Sequence, residues 1–180
     1  MIPAFVEMSS LVALLASGRA PEIVTHHSLV LTLLPVCARR VGELAQLADF
    51  DEQLRVLERR GQLITTAARG DVRTTLMLAQ HLDTTTSAVA SAAISAEAPV
   101  VLLSDDSRTL RTLQRERPDL ALITALYLIR TWQADANADV EALLARVGRW
   151  FTPTFTHPER NWWRARRVSH EQCDPVSQQE

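Results

Sequence analysis

Short apolar runs alternate along this chain with segments of helical periodicity, and this alternation restricts the fold more than any other feature. The clearest runs cover residues 29–34 and 100–103, and shorter runs cover residues 4–7 and 120–123. Residues 62–65 fit a strand or a loop equally well. Apolar runs of this length are typical of strands that are buried on both faces. The order therefore predicts an α/β fold, a three-layer α/β/α arrangement with a mainly parallel central sheet.

The expected helices are marked by apolar residues three and four positions apart and by capping signals. Ser9 or Ser10 is a candidate cap for a first helix that ends at Gly18. A long second helix is predicted from about Val36 to Gly61, because the apolar periodicity continues throughout. Further helices are expected at residues 72–82 and 87–97 and around three apolar sets: Leu110 with Leu113, Leu126 with Ile129, and Val140 with Leu143, Leu144 and Val147.

Length and composition favour one main domain. The chain has 180 residues, 47% of them hydrophobic and 22% charged, which is ordinary for a single core of this size. Prolines, aromatic residues and arginines become frequent after Gly148. We therefore expect a domain at residues 1–148 and a C-terminal aromatic and basic extension at residues 149–180, in which residues 174–180 are disordered.

The sequence carries no pattern of export or membrane insertion. Glu7 and Arg19 interrupt the apolar segments before any of them reaches about 18 residues. The two cysteines, Cys37 and Cys173, form neither a disulfide framework nor a zinc pattern. We expect a soluble cytoplasmic protein with free thiols.

The charge balance limits how the chain can contact nucleic acid. The net charge is -2, so the whole molecule offers no basic field, and any such contact must come from a local patch. The 19 basic residues are all arginine, whose guanidinium groups suit phosphate. Arg164 and Arg166 lie beside Trp162 and Trp163, a stretch that fits RNA binding, although tryptophans packed on the core with arginines in water are the favoured interpretation.

Acidic residues follow two of the predicted strands. Glu7 ends the first strand, Asp105 and Asp106 end the clearest one, and Glu43 lies one turn into the second helix. The carboxyl ends of parallel strands converge on one crevice, where clustered carboxylates favour an oxygen-preferring cation such as Mg²⁺ or Mn²⁺. The alternative is that Glu7 and Glu43 are surface acids and that the aspartates cap a helix.

Four segments together carry a family resemblance. Residues 5–14 combine a strand end, an acid and a serine-led helix, and residues 31–44 combine a strand, a proline and a helix that bears an acid. Residues 101–108 combine a strand, an acid pair and a basic helix start, and residues 122–129 combine a strand and a threonine-led helix. In this order they resemble the PIN-domain family, particularly the toxin-type ribonucleases of bacterial toxin–antitoxin modules.

The resemblance implies a PIN-like fold with a degenerate acidic site. Glu7 stands where the family has an aspartate, Glu43 matches its second acid and Asp106 best matches the acid after the later strand. A further family acid falls at Ser87, and Asp83, one helical turn earlier, is a candidate substitute. By this resemblance Glu7, Glu43 and Asp106 would be ligands of Mg²⁺ or Mn²⁺, with Asp105 supporting them in catalysis.

The resemblance also implies partners. These are RNA, an antitoxin-like protein and a second copy of the chain. The candidate RNA-binding residues are Arg39, Arg40, Arg108, Arg164 and Arg166.

Two functions remain open from the sequence. The first is a metal-dependent endoribonuclease that hydrolyses RNA phosphodiester bonds. The second is a catalytically inactive PIN-like module that binds RNA or a protein partner, because the first acid is lengthened and the one at Ser87 is missing. A flavodoxin-like domain that binds a small molecule is disfavoured, because there is no glycine-rich phosphate loop.

Overall fold

Strands and helices alternate from the first residues of the chain. The structure is a computed structural model that describes residues 1–46 and 48–136. The strands of this part are β1 (Ile2–Val6), β2 (Leu29–Leu33), β3 (Leu63–Thr65), β4 (Val101–Leu103) and β5 (Ala121–Ile123). Its helices are α1 (Met8–Ala16), α2 (Ala20–His26), α3 (Pro35–Leu44), α4 (Ala48–Arg59), α5 (Val72–Ala79), α6 (Thr84–Ile94), α7 (Ser107–Glu116) and α8 (Ala125–Ala136).

The five strands form one parallel sheet in the order β3-β2-β1-β4-β5. In the central strand, Ala4 pairs with Leu31 of β2 on one side and with Val101 of β4 on the other. The chain runs outward from β1 to β3 and then returns to β4, so the strand order reverses between β1 and β4. Parallel sheets form ligand crevices at the carboxyl ends of their strands at such a reversal.

The helices pack in two groups. Helix α1 contacts α2, α4 and α8, whereas α5 contacts α6, which lies against β1 and β4. This packing is consistent with a three-layer α/β/α arrangement, and the predicted α/β class with a parallel sheet is confirmed. Gly18 and Gly61 follow α1 and α4 with φ of 74° and 64°, the left-handed conformation that ends helices, so the predicted ends there are also confirmed.

Several helix boundaries differ from the predictions. Helix α2 was not predicted; it has Pro21 in its first turn and no side-chain cap. The long helix predicted from Val36 to Gly61 is in fact two helices, α3 and α4. Neither glycine nor proline marks the break, and the apolar periodicity continues across it. The helices predicted at residues 72–82 and 87–97 are α5 and α6, the second of which begins earlier because Asp83 caps it.

Some predictions lie outside the described residues. They concern the helix around residues 140–147, the domain boundary at residue 148 and the extension at residues 149–180. None of the helices in the described part combines the length and apolarity that a membrane-spanning helix requires.

Candidate functional site

A crevice of about 400 Å³ lies at the carboxyl ends of β1 and β4. Three acids from different elements line it: Glu7 follows β1, Asp83 precedes α6, and Asp106 precedes α7. Arg40 of α3 lies on its wall, together with the hydroxyl-bearing residues Ser9, Thr85 and Thr86 and with Met8 and Val89. The reversal of strand order thus brings together acids that are about 100 residues apart in the chain.

Glu7 is the buried acid of the crevice. Its backbone N–H donates to the Leu103 carbonyl at 3.1 Å, which fixes the end of β1 against β4. The side chain is only 5% exposed, and its Oε2 has no hydrogen-bond partner within the described part of the chain. Thr109 Oγ1 lies 3.5 Å from Oε1, the outer limit of a hydrogen bond.

The surroundings of Glu7 favour its protonated form. Burial raises the pKa of this carboxyl, and the negative charges of Asp106 and Asp83 raise it further. The hydroxyls of Ser104 and Thr86 lie near enough to lower this pKa, but neither meets the geometry of a hydrogen bond to Oε2, and the effect of burial prevails. A cation beside this carboxyl would offset both the burial and the negative neighbours.

Asp83 is the N-cap of α6. Its Oδ1 accepts hydrogen bonds from the backbone N–H groups of Thr85 at 2.9 Å and Thr86 at 3.1 Å. Partial burial, the largest single influence, raises the pKa of Asp83, but the hydrogen bonds and the positive charge of Arg40 outweigh it, so that the pKa is lowered. Asp83 is therefore held in its charged form beside Arg40.

Asp106 is the N-cap of α7. Its Oδ2 accepts from the backbone N–H and from the hydroxyl of Thr109, both at 2.7 Å. Its own N–H donates to Ser104 Oγ at 3.2 Å. In Asp83 and in Asp106, one carboxylate oxygen accepts the capping hydrogen bonds. The other oxygen of each carboxylate takes no part in capping. The alternative prediction that an aspartate after β4 caps a helix is confirmed for Asp106.

Asp105 lies behind the crevice and does not line it. It is 7% exposed, and its carboxylate accepts from Ser10 Oγ at 2.5 Å and from the N–H groups of Ala125 at 3.1 Å and Leu126 at 3.3 Å. Burial raises the pKa of Asp105, opposed by these hydrogen bonds. The residue ties α1 and the start of α8 to the end of β4.

The other predicted site residues lie apart from this crevice. Glu43 is exposed on α3 and does not line the crevice, whereas Arg40, one turn earlier on the same helix, does. Arg108 is exposed on α7. Arg39 lies in α3, but its side chain is outside the described part, as are Arg164 and Arg166.

The buried hydroxyls around Glu7 had not been singled out from the sequence. Ser104 and Thr109 are 0% and 1% exposed, and each contacts an acid of the crevice or its backbone. Ser104 ends the run of β4 and Thr109 lies at the third position of α7. The sequence signal that was available for these hydroxyls is a serine before and a threonine after the acid pair that follows β4.

The oxygen atoms that line the crevice are of the kind that binds a divalent cation, but they do not form a complete metal site. In residues 1–46 and 48–136, no group of three or more His, Cys, Asp and Glu side chains lies close enough together to hold a metal ion. Oxygen donors and the unpartnered Oε2 of Glu7 nevertheless suit a hard divalent cation. Mg²⁺ in particular keeps several waters and is usually held by one or two carboxylates together with substrate phosphates.

Comparison with known proteins adds no family to this geometry. No protein-family model, no curated protein and no solved structure matches the chain.

Proposed function

We propose that this chain is a PIN-like protein that hydrolyses RNA phosphodiester bonds with the help of Mg²⁺ or Mn²⁺. One observation carries the proposal: three carboxylates line a single crevice beside an arginine, and the most buried of them, Glu7, has an oxygen with no partner in the described chain. An unpartnered buried carboxylate oxygen is costly unless a cation or a proton occupies it.

The order of elements supports the PIN-like part of the proposal. The four segments that carry the resemblance form β1 with α1, β2 with α3, β4 with α7, and β5 with α8. Thr124, which was expected to start the last of these helices, accepts a hydrogen bond from the N–H of Tyr127 at 3.0 Å. The alanine-rich helix expected before the clearest strand is α6.

The position of the acids supports a cation that is held jointly by protein and substrate. Glu7, Asp83 and Asp106 supply oxygen donors; Asp83, the candidate substitute for the acid expected at Ser87, lines the crevice, whereas Glu43 does not. A site with few protein ligands leaves positions open for substrate phosphate. When bound, Mg²⁺ or Mn²⁺ supplies polarisation of a phosphoryl oxygen and activation of water as the nucleophile.

The side chains around the acids have distinct tasks in this proposal. Arg40 binds a phosphate oxygen through its planar guanidinium and places the phosphodiester next to the acids. Glu7 offers its buried oxygen to the cation, whose positive charge offsets the burial and the negative neighbours that raise the pKa of this carboxyl. Asp83 and Asp106 hold the starts of α6 and α7 in place while they supply negative charge.

The test compares three aspartates that have the same structural role. Asp71, Asp83 and Asp106 each cap a helix through a hydrogen bond to a backbone N–H, but only Asp83 and Asp106 line the crevice. Asparagine caps helices as well as aspartate does, so the Asp→Asn changes remove charge at little cost in stability. We expect Asp83→Asn and Asp106→Asn each to lower RNA cleavage in Mn²⁺ at least tenfold, and Asp71→Asn to leave it unchanged.

The variant Glu43→Gln tests whether Glu43 belongs to the site. The family resemblance implies that it does, and the lining of the crevice implies that it does not. Since Glu43 is exposed away from the crevice, the geometry predicts cleavage close to that of the unmodified chain. Equal cleavage rates in the unmodified chain, Asp83→Asn and Asp106→Asn would reject the proposed site.

An inactive module is the second candidate, and a specific observation favours it. Both crevice aspartates already serve as helix caps, and the described residues provide no three-acid cluster. Calorimetric titration with Mn²⁺ distinguishes the two candidates. Absence of metal binding, with RNA binding retained, would leave the inactive module. An antitoxin-like partner, self-association and a cytoplasmic location stay predictions.

A further inference from the structure

Helix α7 exposes a row of three arginines. Arg108, Arg111 and Arg115 are all exposed and lie three and four positions apart, on one side of the helix. We call them the α7 arginine face. The opposite side of the helix is buried and consists of Thr109, Leu110, Thr112 and Leu113. The arginines therefore face solvent because the other side of the helix packs on the core.

The local charge of α7 contrasts with that of the molecule. The helix contains three arginines and one acid, whereas the amphipathic helix α4 contains two arginines and four acids. The net charge of the chain is -2. The α7 arginine face is therefore a local positive surface on a weakly acidic protein, of the kind that can bind a polyanion.

The α7 arginine face begins at the crevice. Its helix starts directly after Asp106, which lines the crevice and caps α7. At a rise of about 1.5 Å per residue, the distance from Arg108 to Arg115 along the helix axis is about 10 Å. A polyanion with one phosphate in the crevice thus has further positive groups along the adjoining helix.

The present contacts of Arg111 and Arg115 are local ones that a phosphate can replace. Arg111 bonds within its own helix, from Nε to the Ser107 carbonyl at 3.1 Å. Arg115 pairs with Glu116 at 2.7 Å, but its side chain is 65% exposed, and exposed pairs contribute little. Arg117 is not part of the α7 arginine face, because it makes two hydrogen bonds to Asp119, at 3.0 and 2.7 Å.

We propose that the α7 arginine face binds the phosphate backbone of single-stranded RNA and leads the strand into or out of the crevice. The proposal rests on the proposed function for the identity of the polyanion as RNA. It adds Arg111 and Arg115 to Arg108 as RNA contacts and assigns them to phosphate rather than to bases. Binding along α7 is therefore independent of sequence and sensitive to salt.

The first experiment measures binding without cleavage. Fluorescence anisotropy of a labelled oligouridylate is recorded in EDTA at several salt concentrations. The full chain is compared with a triple variant, Arg108→Gln with Arg111→Gln and Arg115→Gln. We expect the triple variant to bind roughly tenfold more weakly at low salt. The slope of log Kobs against log salt should fall by roughly 2, at about 0.7 for each lost contact with a single strand.

The matched control removes the same charge elsewhere. Arg55, Arg59 and Arg60 are exposed on or next to the acidic helix α4, and their triple change to Gln should leave the slope unchanged. Equal losses in the two triple variants, or no loss in either, would overturn the proposal. Tighter binding of poly-glutamate than of oligouridylate of equal charge would overturn the choice of RNA as the partner.

The second experiment separates the α7 arginine face from the proposed nuclease activity. A dinucleotide is too short to extend from the crevice along α7, so the α7 triple variant should lose much more of its cleavage of long RNA than of its cleavage of the dinucleotide. Equal cleavage of long RNA by both proteins would reject the role of the α7 arginine face and leave the nuclease intact. If neither substrate is cleaved by either protein, the proposed nuclease fails, and the anisotropy experiment decides the role of the α7 arginine face alone.

Discussion

The Glu7 carboxyl makes the stability of the whole domain depend on pH. Its pKa is raised in the folded protein by burial, so the folded state holds the proton more tightly than the unfolded state does. The stabilising effect of that proton is fully present below the unfolded pKa of 4.5 and is lost as the pH rises through the raised folded pKa.

The resulting prediction concerns Glu7→Gln, which replaces the carboxyl with a neutral group of similar shape. Without divalent cations, we expect this variant to be more stable than the unmodified chain at pH 8. Its stability should also fall less between pH 4.5 and pH 8. Urea unfolding in EDTA across this range measures both effects. A larger loss of stability with rising pH in Glu7→Gln than in the unmodified chain would contradict the assignment.

Residue positions differed in how well the sequence predicted them. Glu7 and Asp106 were predictable, because a residue that directly follows a parallel strand lies at the edge where the strands converge. Glu43 and Arg40 lie on one helix, and which of them faces the crevice depends on how α3 is rotated. Periodicity left that rotation open, because Cys37 is the one fully buried residue among the α3 side chains that the structure describes. Asp83 was only a substitute candidate, since its place depends on where α6 begins.

At the scale of elements, the connection between β3 and α5 is held against α6 by close packing at Gly70. A Cβ built on Gly70 would lie 2.6 Å from the backbone carbonyl carbon of Ser91, too close to be relieved by side-chain movement alone. Hydrogen bonds reinforce the contact, from Ser91 Oγ to the Asp71 carbonyl at 3.0 Å and from the Asp71 N–H to Ser95 Oγ at 3.1 Å.

Two glycine substitutions should therefore have opposite effects. Gly70→Ala forces the connection away from α6, and we expect it to destabilise the domain by about 1–3 kcal/mol. Gly42→Ala places a methyl group in open space within helix α3 and should stabilise it by up to about 1 kcal/mol. Thermal unfolding of both variants tests the pair. A stable Gly70→Ala variant would mean that the connection does not pack on α6 as described.

Elements were predictable where sequence signals and packing agree. The ends of α1 and α4 were found because glycines with positive φ follow them. The break between α3 and α4 was missed, because the residues around it are ordinary helix formers whose apolar spacing continues. Helix α2 was missed for the converse reason, since a short segment that begins with a proline resembles a turn.

At the scale of the whole molecule, the class of fold followed from the apolar runs, but the order of the strands did not. A parallel strand that is buried on both faces appears as a continuous apolar run in any position of the sheet. The position of β1 between β2 and β4 is a property of pairing between distant segments, and it creates the crevice. The sequence was therefore sufficient to propose that acids cluster at this edge of the sheet. The structure was needed to show which acids belong to the cluster.

A cation that is held jointly by the crevice and by a substrate phosphate implies that the two ligands stabilise the folded protein together. Each ligand alone raises the stability by RT ln(1 + [L]/Kd). If each completes the site of the other, their combined effect exceeds the sum of the separate effects by a coupling free energy, typically about 1–3 kcal/mol. For a chain of this size, each kcal/mol raises Tm by roughly 2–4 °C.

Differential scanning calorimetry with Mn²⁺, with a non-cleavable dinucleotide phosphorothioate, and with both tests this coupling. We expect a more than additive rise in Tm for the unmodified chain and for Asp71→Asn, whose aspartate caps α5 outside the crevice. Asp83→Asn should lose the excess, because its crevice carries one negative charge fewer while its helix cap is retained. Additive shifts in all three proteins would mean that cation and phosphate bind independently, so that the crevice does not hold them as one site.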